Sequence, residues 1–247
     1  MITHKKAERV YFHKTLIIDI ETVPLSYDWN TLPENLKAHW LHKMNFLQLT
    51  EAEKADPGTV FKERAGIYAE FGKIVCIGMG YMTQQNRVDT IRLKSLRNDD
   101  ERELLLAFCD TIEHFREQNK EVIFCGHNIK EFDIPYICRR MLIHGISLPE
   151  CLDLGGLKPW QVNHQDTLEL WRFGDYKSYI SLDLLAQVLG VPSSKGDMEG
   201  SGVAAAYWDH NDLEGIAGYC LRDVYTTGLV YMKLKGWKEA LPEALYV

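Results

Sequence analysis

No run of the 247-residue chain approaches the ~18–20 consecutive apolar residues that a membrane span needs. The most apolar runs, residues 16–18 and 74–79, are strand-sized. The opening residues, MITHKKAERV, are basic but have no apolar stretch behind them. That argues against a secretory signal and makes the cytoplasm the expected compartment. No C-x-x-C pair occurs among the six cysteines at 76, 109, 125, 138, 151 and 220, and the histidines are scattered too. A zinc site needs ligands paired at short spacing, so a His/Cys metal cluster is not expected. The cysteines stand mostly in apolar contexts, which predicts buried free thiols. Positive charge is also short: 28 basic against 35 acidic residues leave a net charge of −7. This argues against a protein that coats nucleic acid through many phosphate contacts. It leaves room for an enzyme that grips one chain end with metal ions held by carboxylates. Internal repeats and low-complexity tracts are absent as well.

What is present fits an ordinary globular chain. With 46% hydrophobic and 26% charged residues it is too apolar to be disordered. One domain spanning 1–247 is expected at this length. Residues 15–20 (TLIIDI) read as a buried β-branched strand. Residues 22–72 form an excursion, broken by Pro24, Pro33 and Pro57-Gly58, with helical stretches near 34–48 and 60–70. Strands follow at 73–82 and 87–93, joined as a hairpin through TQQN. Asn98, with Glu101 three residues on, predicts a capping box for the next helix. A fourth strand at 121–125, a helix at 134–143 and a short strand at 162–166 come next. Helices near 181–189, 201–209 and 212–235 complete the chain. This order predicts an α/β fold with a mixed sheet and a helical C-terminal half.

Three sites place acids inside apolar elements. Asp19 and Glu21 close the first strand; alternation turns both to one face and Ile20 to the other. Two adjacent carboxylates repel, and burying them is costly unless something positive compensates, such as a divalent cation. The D-x-E pattern recurs at 99/101, 197/199 and 212/214, in polar turns or helix starts where the helix dipole favours acids. The second site is GHNIKEFDIPYICRRM, residues 126–141. Taken alone, Asp133 is a helix cap, Phe132 a core residue, and His127 and Asn128 loop residues bonded to local backbone. The third is Tyr219 with Asp223, four residues apart and so one turn apart on a helix face. Asp has poor propensity in mid-helix and needs a reason to be there. The same spacing at Tyr179 and Asp183 is explained more simply by a helix start at Ser181.

Singly these signals are weak. Their order, D-x-E then H-N-x-x-x-F-D then Y-x-x-x-D, resembles the DEDD-type 3′–5′ exonucleases of the tyrosine (DEDDy) subclass, a superfamily with the ribonuclease H-like fold. Asp19 and Glu21 match the first motif, Asp133 the second, and Tyr219 with Asp223 the third. The stretch HNIKEFDIPY is similar to the proofreading exonuclease domain of family B DNA polymerases. The resemblance spans roughly residues 15–235. With no room for a polymerase domain, it implies a free-standing, polymerase-B-like exonuclease. The 22–72 excursion lies outside the resemblance.

The resemblance implies two divalent ions, Mg²⁺ or Mn²⁺, since oxygen-only ligands favour hard ions over zinc. Asp19 is expected to bridge both, Glu21 and Asp223 to complete the site of the attacking water, and Asp133 to support the second ion. Tyr219 is expected to orient the water. The implied partner is a nucleic-acid 3′ end, single-stranded DNA favoured over RNA, and the product a nucleoside 5′-monophosphate. Thr22 and Asn128 are candidates for holding the terminal sugar, Phe132 for stacking on the last base and Lys195 for a phosphate. The stretch WRFGDYKSY (171–179) interleaves basic and aromatic residues, which suits a single strand and equally suits core aromatics beside a charged turn. The alternatives are an RNA-trimming enzyme of the ribonuclease D kind and, less expected with all four carboxylates present, a non-catalytic nucleic-acid-binding module. A purely structural domain does not explain acids in apolar elements.

Overall fold

The computed structural model describes residues 12–196, 198 and 200–247; the Asp197/Glu199 pair and the opening basic residues lie outside them. The apolar run after Lys14 forms β1 (Thr15–Pro24). Its even residues Leu16, Ile18 and Ile20 enter one core layer, and its odd residues Ile17 and Val23 enter the opposite side. β2 (Gly72–Gln85) pairs antiparallel with β1, and β3 (Val88–Arg97) antiparallel with β2. Asn86 and Arg87, both at positive φ (52° and 68°), make the two-residue turn between them, one step later than the TQQN run suggests. β4 (Ile123–Gly126) runs parallel to β1, and β5 (Gln165–Asp166) parallel to β4. β6 (Glu243–Tyr246) runs parallel to β3 and was not foreseen. Its four half-exposed residues carry no periodic signal; neighbours pin it, with Val247 N–H on the Leu93 carbonyl at 3.0 Å. The six-stranded order is β5-β4-β1-β2-β3-β6, the mixed sheet that the element order predicts.

The excursion is helical and has its own small core. It folds as α1 (Glu34–Met44), α2 (Glu51–Ala55) and α3 (Pro57–Arg64). Trp40, Phe61 and Phe71 meet edge to face at its centre. Thr50 and Glu53 form a capping box at α2, and Asp56 caps α3 with Pro57 at its first position.

α4 (Glu101–Asn119) and α5 (Asp133–Ile143) cover the even face of β1, burying Leu104, Leu105, Phe108, Ile137 and Met141. The expected capping box at Asn98 is corrected. Asp100 caps α4, and Glu101 turns inward to pair with Arg140 and accept the Ile74 N–H at 2.7 Å. Arg140 also donates to the Ala69 carbonyl at 2.8 Å, so one buried pair ties α4, α5, β2 and the end of the excursion. After β5 come the unforeseen α6 (Thr167–Arg172), then α7 (Leu182–Leu189) and α8 (Val203–Trp208). α9 (Leu213–Leu234) lies on the odd face. Among the described residues, no helix is long and apolar enough to cross a membrane.

α9 sits close because glycines let it. A Cβ on Gly78 of β2 would lie 2.7 Å from Cys220 Sγ and 2.9 Å from Val224 Cγ2. One on Gly80 would lie 2.8 Å from Val224 Cγ1. From the helix side, a Cβ on Gly228 would lie 2.8 Å from Ile17 Cδ1. Gly78→Val therefore has to displace the helix. We expect it to cost about 1–3 kcal/mol in chemical denaturation and to reduce turnover by moving Tyr219 and Asp223 away from β1. An unchanged midpoint with full turnover would show that α9 does not need this close approach.

Candidate active site

The end of β1 gathers the acids. Asp19 and Glu21 leave the strand on the α9 side, as alternation requires, while Ile20 enters the other core layer. A bulge follows: Glu21 lies opposite Cys76 and Thr22 opposite Ile74, leaving Val75 as the extra residue. Bulges bend a strand and re-aim its side chains. β4 pairs with β1 only from Thr15 to Ile17, so further along β1 the N–H groups on that side have no strand partner. Asp133 fills the gap, its Oδ1 accepting the Ile20 N–H at 3.1 Å. It is the first residue of α5, Phe132 holding the cap position without a side-chain bond. The carboxylate that could have capped its own helix is thus turned to β1. It is only 3% exposed, and Glu21 only 7%.

α9 supplies the other wall. Tyr219 and Asp223, one turn apart, line the same cleft and act on each other electrostatically. Between them Cys220 points its thiol at the Asp19 carboxylate, 3.4 Å from Oδ2. Asp19, Glu21 and Cys220 bring one potential ligand atom each within 4.8 Å of one another. Asp133 and Asp223 lie outside this tightest group but act on the same acids. Asp19 is raised well above the usual carboxylate range by burial first, then by Glu21, Asp133 and Asp223. Glu21 is raised by burial, then by Asp223, Cys76 and Asp133. Burial pushes Asp133 up to about 7, against backbone N–H bonds that pull it down. Burial also raises Asp223, opposed by the neighbouring Ser194 and Tyr219 hydroxyls.

This arrangement suits a cation. The groups that raise Asp19 are all acids, and a hard divalent ion would compensate several of them at once. Burial raises the Cys220 thiol strongly, which works against its forming a thiolate ligand. Without such an ion, the raised acids bind more protons in the folded than in the unfolded chain. Stability then falls as pH rises from the ordinary carboxylate value of 3.8 through about 7, where Asp133 titrates. Calorimetry in chelator should show the melting temperature dropping across this window, with Asp19→Asn flattening the drop. A melting temperature independent of pH there would contradict the crowding of charge.

The remaining predicted residues fall into two groups. A cleft of ≈ 330 Å³ is lined by Asp183, Ser194, Lys195, Tyr219 and Asp223 among others, so Lys195 does stand beside the tyrosine and acid. Its Nζ is 3.4 Å from Asp183 Oδ2. Thr22 is half-buried at the bulge, close enough to Tyr136 to act on its hydroxyl, which donates to the Gly66 carbonyl at 2.8 Å. Phe132 is half-buried with its ring 5.5 Å from that of Tyr136, packed against the core. Asn128 adopts the left-handed region (φ 63°), its N–H held by Asp166 at 3.0 Å.

Sequence reasoning missed three contributors. Asp166 takes the N–H groups of Asn128, Lys130 and Leu168, clamping the loop that delivers Asp133 to the cap of α6. An Asp before a helical run is a cap signal that could have found it. Ser194, which supports Asp223, and Cys220, which touches Asp19, carry no local signal. His127 is a brace: Nε2 donates to the Ile180 carbonyl at 2.9 Å, and Nδ1 meets the Thr167 hydroxyl at 2.9 Å.

Residues 67–247 match the family described as predicted 3′-5′ exonucleases related to the exonuclease domain of PolB. The matched span holds Asp133, Tyr219 and Asp223 and begins after Asp19 and Glu21. No curated protein matches the chain. Among solved structures, the family B DNA polymerase from the hyperthermophilic archaeon Pyrobaculum calidifontis is similar, at a TM-score of 0.51 and 18% identity. The likeness covers 89% of this chain and 24% of the polymerase, and it bears out the ribonuclease H-like, mixed-sheet architecture. The chain belongs to the family of predicted 3′–5′ exonucleases related to the exonuclease domain of PolB.

Proposed function

We propose that the chain is a metal-dependent 3′–5′ exonuclease that hydrolyses the terminal phosphodiester of single-stranded DNA, releasing nucleoside 5′-monophosphates in the cytoplasm. The carrying observation is the convergence of four acids, with Glu21, Asp133 and Asp223 all acting on Asp19. Membership of the exonuclease family supports the reading. The whole chain is taken as one catalytic unit, with 22–72 as an insertion.

Asp19, Glu21, Asp133 and Asp223 would hold two divalent ions, Mg²⁺ or Mn²⁺. When bound, such ions lower the pKa of a water and neutralise charge on the attacking and leaving oxygens. The protein's own groups do the positioning. Asp133 is fixed by the Ile20 N–H, so its carboxylate needs no reorganisation. Tyr219 keeps its proton, because burial and the neighbouring Asp223 raise its pKa. A protonated hydroxyl beside the acids can hydrogen-bond the attacking water and set its line of approach. Lys195, on the cleft wall, is assigned to a substrate phosphate, and Thr22 and Asn128 to the terminal sugar. Phe132, half-buried against the core, is assigned to the last base.

The test is cleavage of 5′-labelled single-stranded DNA and RNA with Mg²⁺, Mn²⁺ or chelator. Wild type should give a ladder shortening from the 3′ end only with metal, faster on DNA; Asp19→Ala and Asp223→Ala should give none while staying folded. Faster shortening of RNA would move the substrate to the ribonuclease D kind. Full activity in either variant would remove that acid from the site. Tyr219→Phe should lower kcat about 10²-fold with KM nearly unchanged. Equal loss of binding and turnover would make Tyr219 a packing residue.

A further inference from the structure

The aromatic stretch after α6 separates into one inward ring and three outward ones. Trp171 packs partly buried against the core beneath α9. Phe173 is 89% exposed, Tyr176 86% and Tyr179 71%. Three large rings within seven residues thus face solvent, and core packing does not account for them. Neither tyrosine hydroxyl has a hydrogen-bond partner among the described residues. Phe173 is also held at φ +45°, the left-handed region, at the C-cap of α6. A glycine would close that helix at lower cost, and the exposed phenyl ring returns nothing to the fold by burial.

The loop that carries the rings is built. Arg172 Nε donates to the Ser178 carbonyl at 2.8 Å, tying its two ends together. Asp175 turns it internally, accepting the Lys177 N–H at 3.2 Å. Arg172 also lies 3.6 Å from Glu131 of the loop that delivers Asp133. At the far end Tyr179 precedes Ile180, whose carbonyl His127 holds, and Ser181, which lines the cleft with Tyr219 and Asp223. Two residues span at most about 7 Å, so the backbone at Tyr179 lies within that distance of the cleft wall.

We infer that Phe173, Tyr176 and Tyr179 form a stacking platform for the single strand that lies 5′ of the nucleotide being removed. The inference rests on the exonuclease reading of the site and adds what holds the strand. Aromatic faces take any base, which fits an enzyme that must advance through every sequence. Lys177 adds one exposed positive charge to a protein of net charge −7, so the hold is mainly stacking. Two consequences follow: short strands escape the platform, and binding falls only shallowly with salt.

The test uses the full-length protein with Phe173→Ala, Tyr176→Ala and the double variant. All these positions are exposed, so melting temperatures should stay at the wild-type value. Kinetics on 5′-labelled single-stranded DNA of two, four and ten nucleotides should show wild-type KM falling with length. In the double variant, KM for the ten-nucleotide strand should rise at least about tenfold, kcat should hold, and the dinucleotide should be cut as by wild type. Tyr176→Trp should restore the long-strand KM. Fluorescence anisotropy of the ten-nucleotide strand in chelator reads the platform without cleavage. If wild type cuts nothing yet the double variant loses anisotropy binding, the exonuclease reading fails and the platform stands. If KM and anisotropy match wild type at every length, the platform is overturned.

Discussion

The repulsion among carboxylates at one end of β1 is the constraint on which the rest of the structure depends. Asp19 has Glu21, Asp133 and Asp223 acting on it, each raising its pKa, in surroundings that already disfavour charge. A fold that keeps such a cluster gives up stability for it, unless a cation supplies the missing charge. Nothing in the packing asks for these acids. β1 is otherwise an apolar strand, and α9 places its acid in mid-helix, where propensity is poor.

The surrounding architecture reads as the means of holding that cluster. β4 stops short, which frees the Ile20 N–H for Asp133. Asp166 clamps the 128–130 backbone, so Asp133 arrives at β1 on a fixed loop. Gly78, Gly80 and Gly228 let α9 approach β2 and β1 at a distance that larger residues forbid. The Glu101–Arg140 pair locks α4 to α5 from behind. Each device positions a group whose own neighbours push it away.

Much of this was legible in the sequence, for identifiable reasons. β1, β2, α4 and α9 carry strong periodicity, and alternation alone put Asp19 and Glu21 on one face. What escaped was set by tertiary context. Glu101 obeys the spacing of a capping box, but Asp100 takes the cap and Arg140 draws Glu101 inside. β6 is four half-exposed residues that become a strand only because β3 offers an edge. Cys220 reads as an apolar helix residue, and only the close approach at Gly78 brings it against Asp19. The aromatics of 171–179 were ambiguous because composition cannot tell an inward ring from an outward one; Trp171 went one way and Phe173 the other.

Calorimetric titration of the chelator-treated protein with Mn²⁺ shows whether the four acids form a cation site. The expected result is saturable binding of two ions per chain, a melting temperature raised by the metal, and loss of both in Asp19→Asn. An absence of Mn²⁺ binding, or binding of the same strength and stoichiometry in Asp19→Asn, would contradict it.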